Sequence, residues 1–503
     1  MELVYLWVEK YKNIHRQGFN FSPRFKCAYN PDTEELTIDK KDDYIENFFG
    51  ENINVTAIVG KNGSGKSILL EYLSYKGLGE YEGKQHIYVI REDNTFIIDT
   101  TIESEIRIKN KTTLNYIKKT TEENLNIILK NFHQVPRNYI TAGKHNVSNI
   151  SDETMYKKIV ENSEYKNKFY DIFSIHESLT LLNFFRVENI LLPSDIILPE
   201  EIILHIQNPK KIKSDFSFSD NIDKDIQKLL QTAKIDEKTI NTFFKALSNL
   251  NKKDTLDGYE IKNLNKKDIS YFVEILKTLY ERNPILTEVL WLHLDKKLSS
   301  GTLELLRTYA NLFQSLSTIE KNNILICLDE PDSFLHPNWQ KQLFNHLINF
   351  FQLNYPDRNF HLILTTHSPF LLSDIPKQNI IFLDTDDNGN CKIVDGLNDK
   401  KETFGANIHT LLSDSFFMEN GLMGEFAKGK IDEAFNLLNK TTITKEEQKY
   451  CEEIISIIGE PIIKRQLQKM LDSKRLSKID KIDELQKQIE VLQQQVEKLQ
   501  TDA

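Results

Sequence analysis

The chain has 503 residues, 40% of them hydrophobic and 27% charged, with a formal net charge of −10. That is an ordinary soluble globular composition, in a chain long enough to bury a sizeable core in more than one domain. No apolar run nears the roughly 20 residues that span a bilayer, and the acidic balance disfavours autonomous tight binding to nucleic acid, which rests on neutralising phosphates.

The N-terminal run Met1–Lys10 has neither a basic n-region nor a small-residue cleavage site, so it reads as a first strand rather than a signal peptide. Cys27, Cys327, Cys391 and Cys451 are scattered without C-x-x-C spacing. That pattern argues against zinc and redox sites and fits a reducing cytoplasm.

Asn54-Val-Thr-Ala-Ile-Val59 is β-branched and apolar and predicts a buried strand. Gly60-Lys-Asn-Gly-Ser-Gly-Lys-Ser67 follows it, and Ile68-Leu-Leu-Glu-Tyr-Leu73 then predicts a helix. The middle segment matches G-x-x-x-x-G-K-[ST] at every fixed position, and strand, glycine turn and helix are the context that pattern needs. Gly60, Asn62, Gly63 and Gly65 would let backbone N–H groups crowd a polyphosphate at a helix N-terminus. Lys66 would reach its β- and γ-phosphates, and the Ser67 hydroxyl would ligand Mg²⁺.

Residues 1–148 continue with strand-like runs at His86–Ile90 and Thr95–Ile98. Residues 149–289 change character. They are rich in Lys, Asn, Asp and Leu at helical spacing, as in Ile226–Leu230 and Phe243–Leu247, and predict a helical insertion. Pro193, Pro199 and Pro209 interrupt it, which favours a compact module over a long arm. Two basic clusters, Arg107–Lys119 and Lys210, Lys211 and Lys213, read as solvated helix faces.

Residues 290–400 return to strands. Ile324-Leu-Ile-Cys-Leu328 delivers Asp329 and Glu330 at its carboxyl end, where a parallel α/β sheet places ligand chemistry. Asp329 would hold Mg²⁺ through water and Glu330 would polarise the attacking water. Ile363-Leu-Thr-Thr-His-Ser-Pro369 puts His367 after another apolar strand. Asp384-Thr-Asp-Asp-Asn-Gly389 looks like the start of a calcium loop. Strand-like flanks and Asp395 at its twelfth position make it a hairpin turn instead.

Leu298-Ser-Ser-Gly-Thr302 resembles the signature loop of the ABC ATPase superfamily, and His367 resembles that family's switch histidine. The order of phosphate loop, signature, acid pair and histidine is the family's order. Asp329-Glu-Pro with Leu335-His-Pro337, and His367-Ser-Pro369, are similar to the soluble branch of RecF, SMC-like and OLD-type ATPases rather than to transporters. The resemblance implies an α/β fold: a P-loop ABC-type ATPase head with a helical insertion. It implies that Ser299 and Gly301 of one copy contact the nucleotide held by another. It further implies ATP and Mg²⁺ as ligands, Glu330 and His367 as catalytic residues, and a homodimer or a higher homo-oligomer of dimers. One element of the family pattern, the glutamine loop, has no clear match after the phosphate-loop helix; Gln134 in Phe-His-Gln-Val-Pro136 is the best candidate and Gln85 another.

Residues 401–475 form a helical C-terminal region. Its start, Thr403–Phe417, resembles soluble ATPases of bacterial defence loci. Residues 476–503 end the chain in a short coiled coil, with Ile482, Leu485, Ile489, Leu492, Val496 and Leu499 at alternating spacings of three and four. The whole is similar to the ATPase subunit of antiphage systems of the Septu, retron-associated or PARIS kind. That resemblance implies a separate nuclease or toxin effector, leaves room for DNA or retron nucleic acid as a partner, and calls for no membrane. The rival readings are a DNA-repair ATPase of RecF or SMC-like type and an ATP-binding scaffold with little turnover.

Overall fold

The computed structural model describes residues 1–78, 85–102, 105–119, 126–131, 147–149, 181, 184, 190–192, 202–207, 221–232, 234–248, 250–255, 258–262, 264, 267–269, 271–273, 275–276, 290–294, 300–320, 322–333, 335–394, 402–415 and 423–501. The chain divides into two compact units, residues 1–417 and 418–503.

In the first unit, strands β1 (Glu2–Tyr11), β2 (Ile14–Asn20), β3 (Phe25–Asn30) and β4 (Glu35–Lys40) precede β5 (Ile53–Gly60) and the phosphate-loop helix Lys66–Leu78. Then come β6 (His86–Glu92), β7 (Thr95–Thr100), β8 (Arg107–Asn110), β9 (Asn115–Lys119), β10 (Asn126–Asn131) and β11 (Val147–Asn149). Strands β12 (Ile202–Gln207), β13 (Lys252–Thr255), β14 (Gly258–Ile261) and β15 (Leu290–Leu294) belong to the insertion and its end. Strands β16 (Asn323–Asp329), β17 (Asn359–Thr365), β18 (Ile380–Thr385) and β19 (Cys391–Val394) close the set.

The site rests on the seven-stranded sheet β11-β10-β16-β17-β5-β18-β19. All its pairs are parallel except β18 with β19. Parallel neighbours need crossovers, and the helix Pro337–Asn354 supplies the one between β16 and β17. Both faces of its central strands are covered, so β5, β16 and β17 are buried nearly end to end and largely apolar. Ile324, Ile326 and Leu328 of β16 and Phe360, Leu362 and Leu364 of β17 enter one core. Leu325, Cys327 and Ile363 enter the core on the other face, with Leu69, Leu70 and Leu73 of the phosphate-loop helix. The period of two along each strand makes this division. Cys327 is fully buried, and burial pushes its thiol pKa well up, so it is core rather than chemistry. All four cysteines are free and buried.

A five-stranded sheet, β2-β1-β6-β7-β9, and a three-stranded one, β3-β4-β8, complete the N-terminal part. The basic cluster Arg107–Lys119 lies on β8 and β9, which corrects the helix-face expectation. Lys109 pairs with Glu35 at 2.7 Å and Lys111 with Asp39 at 2.9 Å. The other cluster, Lys210, Lys211 and Lys213, lies outside the described residues.

The insertion is not purely helical. Helices Ile222–Thr232 and Glu237–Ser248 do form, but the antiparallel sheet β13-β14-β12-β15 accompanies them. The two share a separate core in which Leu204 and Ile206 meet Ile226, Phe243 and Phe272. An amphipathic helix has to bury its stripe against something, and here a sheet supplies the partner surface. Asp384–Gly389 lies in the β18–β19 hairpin as expected. The Asp386 carboxylate accepts the N–H groups of Asn388 and Asn390, and Gly389 takes φ +78°.

The segment after β19 stays with the first unit. Thr403 is fully buried, its hydroxyl donates to the Ile375 carbonyl, and Gly405 N–H donates to Ser373 O at 2.8 Å. Leu411 packs with Val59, Leu372 and Phe382. The second unit consists of helices Glu425–Asn439, Lys445–Ile457 and Pro461–Thr501 around their own apolar cluster. The last helix is continuous for 41 residues and has no break at 476.

Candidate nucleotide-hydrolysis site

The phosphate loop starts where β5 runs out of room. A Cβ on Gly60 would lie 2.3 Å from the Leu383 carbonyl of neighbouring β18, so only glycine lets the two strands pair there. Gly63 and Gly65 take φ +80° and +105°, a region open to glycine at little cost. The helix then begins at Lys66, with no acid in its first turn to compete with an anion. Asn62, Gly63 and Ser67 face solvent, whereas Ser64 and Lys66 are buried. Lys66 Nζ donates to the carbonyls of Gly60 at 2.9 Å and Lys61 at 3.1 Å, which folds the ammonium across the mouth of the loop. Burial lowers its pKa, and the carboxylates of Glu330 and Asp329 oppose that shift.

The acid pair arrives by strand register. Asp329 at the end of β16 sits opposite Thr365 at the end of β17. Two hydroxyls donate to the same carboxylate oxygen, Asp329 Oδ1: Ser67 Oγ at 3.1 Å and Thr365 Oγ1 at 2.6 Å. Thr365 Oγ1 also accepts the Glu330 N–H at 2.8 Å. Glu330 has φ +51°, a left-handed conformation that is costly for a residue with a Cβ. Its carboxylate Oε1 lies 3.5 Å from His367 Nε2. The structure therefore gathers Ser67, Asp329, Glu330 and His367 at the carboxyl edge of the parallel sheet beside Lys66. Gly301 stands half-buried in the first turn of a different element, the helix Ser300–Thr318. Ser299 and Gln134 lie outside the described residues. Gln85 is exposed ahead of β6, where its carbonyl accepts the Glu9 N–H at 3.0 Å.

Sequence reasoning missed three residues. Thr365 is one, although its place before His367 marked the strand end. Asn13 is another. It sits in the β1–β2 turn, donates from Nδ2 to Gly63 O at 3.0 Å, and accepts the Cys391 N–H at 2.7 Å through its carbonyl. It latches that turn to the phosphate loop, and only the Lys12–Asn13 pair between two strand-like runs hinted at it. Asp332 is the third. It is 4% exposed, accepts from Thr366 Oγ1 at 3.0 Å, and belongs to the turn right after the acid pair. Burial pushes its pKa up to about 6, with the Glu330 carboxylate adding to the rise and the Thr366 hydrogen bond and His367 opposing it.

The donor set fits Mg²⁺ and a triphosphate. No group of three or more His, Cys, Asp or Glu side chains able to hold a metal occurs among the described residues. Mg²⁺ does not need such a cage, because it takes one or two protein oxygens plus phosphate and water. Ser67 would supply one such oxygen and Asp329 would hold the ion through water, and the ion would neutralise phosphate charge there.

A parallel sheet with a phosphate loop, and an acid pair on the second strand over from it, define a P-loop nucleoside-triphosphatase site. The family described as "AAA domain, putative AbiEii toxin, Type IV TA system" matches residues 295–373, which carry the acid pair and His367. The "Retron Ec83 probable ATPase" of Escherichia coli is 31% identical over 94 residues, 17% of this chain and 16% of that protein. Among solved structures, "An inward-facing conformation of a putative metal-chelate type ABC transporter" is 15% identical with a TM-score of 0.22, covering 78% of this chain and 83% of the other. Stu0660 of Streptococcus thermophilus is 12% identical with a TM-score of 0.26, covering 94% and 93%. Neither is a close superposition. No helix among the described residues is long and apolar enough to cross a membrane.

Proposed function

We propose that this chain is an ABC-type ATPase subunit of an antiphage defence complex, and that its nucleotide state controls a separate nuclease or toxin effector. The observation that carries the ATPase reading is the convergence of the Ser67 and Thr365 hydroxyls on Asp329, with the Glu330 N–H donating to Thr365 Oγ1 and His367 beside the Glu330 carboxylate. Lys66 and the loop N–H groups bind and orient the triphosphate. Glu330 orients a water in line with the γ-phosphate and accepts its proton, and His367 donates to the γ-phosphate oxygens where charge grows. Ser299 and Gly301 of a second copy close over the nucleotide. ATP thus favours the closed pair and hydrolysis releases it. The defence assignment is supported by the AbiEii-like family description and by the retron-associated relative.

Complementation between two defective chains tests the shared seam. Lys66→Ala and Ser299→Arg chains should each be inactive alone. Co-expressed, they should recover up to about a quarter of wild-type turnover, since half the pairs are mixed and each mixed pair keeps one intact site. Zero recovery, or an active Ser299→Arg chain, would exclude the seam. Turnover with and without DNA ends addresses the repair reading, which requires stimulation. Loss of phage protection on Glu330→Gln substitution, in cells carrying the neighbouring genes, addresses the defence reading.

A further inference from the structure

The last helix does two different things along its length. Near its start, Leu467 and Leu471 are buried in the three-helix cluster with Ala434, Leu438, Cys451 and Ile455. Further on, Ile482, Leu485, Ile489 and Leu492 are 54%, 57%, 53% and 59% exposed. A helix of 41 residues is about 60 Å long, so the helix outruns the cluster that stabilises its first part. A free amphipathic helical segment of this length is marginal in water and calls for a packing partner.

The seam specifies that partner. Ile482 and Ile489 stand at a and Leu485 and Leu492 at d, and the spacing continues at Val496 and Leu499. β-Branched residues at a with Leu at d favour two parallel strands. Charge points the same way. Asp483, Glu490 and Glu497 occupy b, Glu484 occupies c and Lys487 occupies f, all off the seam. The flanking positions 486, 488, 493, 495 and 500 are Gln. In a parallel pair of identical chains, Gln488 meets the other copy's position 493 and Lys481 meets position 486. No like charges oppose each other, and no charge selects a foreign helix.

We propose that residues 482–499 pair in parallel and in register with the same segment of a second copy, whether or not nucleotide is bound. This interface is additional to the ATP seam. A parallel two-stranded coil has its two-fold axis along its length. The coil then keeps two heads together between turnovers, at an effective concentration set by the tether.

The test uses the full chain without nucleotide, so its outcome does not depend on the ATP seam. Sedimentation at micromolar concentration should give twice the 58.8 kDa chain mass. The double variant Ile489→Asp, Leu492→Asp changes only exposed residues and should sediment as a monomer, with the thermal unfolding of residues 1–417 unaltered. Oxidation of Leu485→Cys should give an interchain disulfide, whereas the wild-type chain, whose four cysteines are buried, should give none. A monomeric wild type, or a double variant that remains dimeric, overturns the proposal. A dimer in which Leu485→Cys does not cross-link overturns the parallel register.

Discussion

Thr365 provides the sharpest test of the site's geometry. Its hydroxyl is fully buried, donates to Asp329 at 2.6 Å and accepts the Glu330 N–H at 2.8 Å. Thr365→Val keeps the shape and deletes both bonds. A hydrogen bond to a charged group contributes about 1.5–3 kcal/mol, and a stranded buried N–H costs about 1–3 kcal/mol. Together these put the loss of folding stability near 3 kcal/mol. For a unit the size of residues 1–417 that is a drop in Tm of about 3 °C. The catalytic effect comes from Asp329 and Glu330 losing their common anchor. Misplacement worth about 1.4–2.8 kcal/mol at the transition state lowers kcat ten- to hundredfold. Binding of ATP in the presence of a chelator should change little, because Thr365 touches neither Lys66 nor the loop N–H groups. The assay pairs steady-state phosphate release with fluorescent-nucleotide titration, for Thr365→Val and Thr365→Ser. Serine restores the hydroxyl and should return most of the activity. Wild-type kcat in the valine variant, or a serine variant as inactive as the valine one, would refute the anchoring role.

Lys66→Ala should abolish nucleotide binding, because the buried ammonium is the loop's own cation. Glu330→Gln should bind ATP normally yet hydrolyse it at least about a hundredfold more slowly, with the closed pair accumulating on addition of ATP in sizing experiments on a chain that also carries Ile489→Asp and Leu492→Asp. Turnover at the wild-type rate in Glu330→Gln removes the acid from its assigned role. Asp332→Asn keeps an acceptor for Thr366 and removes a buried charge. The Asp332 pKa is raised in the fold to about 6 from 3.8, so its contribution to stability is intact below 3.8 and is lost as pH rises through 6. The variant should therefore gain up to about 3 kcal/mol over wild type at pH 8 and nothing at pH 3.5, read by urea unfolding. His361 behaves oppositely. It is buried, its Nδ1 accepts the Leu3 N–H at 3.0 Å, its Nε2 lies 2.9 Å from Thr56 Oγ1, and burial lowers its pKa from 6.5 to about 3. Its contribution is intact above pH 6.5 and falls by about 1.4 kcal/mol per pH unit on acidification toward 3. His361→Gln should flatten that part of the acid limb in urea titrations. An unchanged slope would mean the ring is not held neutral.

The candidate site was legible in the sequence wherever its chemistry is local in the chain. Gly60 to Ser67 announce themselves because strand, loop and helix are consecutive, and Gly63 and Gly65 answer to the loop's own positive φ angles. Asp329, Glu330 and His367 could be read because each follows an apolar run at a strand's carboxyl end. The Asp386 hairpin was readable for the same reason. Thr365, Asn13 and Asp332 were not, because what gives each its role is a partner far along the chain. Strand register sets Thr365 opposite Asp329, the β1–β2 turn meets Gly63, and Thr366 folds onto Asp332. The insertion was misread as helical because helical periodicity is strong in the pieces that are helices, whereas its short strands β13 and β14 are polar and gain their order from pairing. In the tail, the heptad was plain in the sequence, but only the tertiary structure distinguished the turns of the helix that are buried by their own unit from those that are not. Contacts between consecutive residues are encoded where they occur. Contacts across strands and helices exist only once folding sets the register between elements, because that register is the joint choice of every side chain in the shared core.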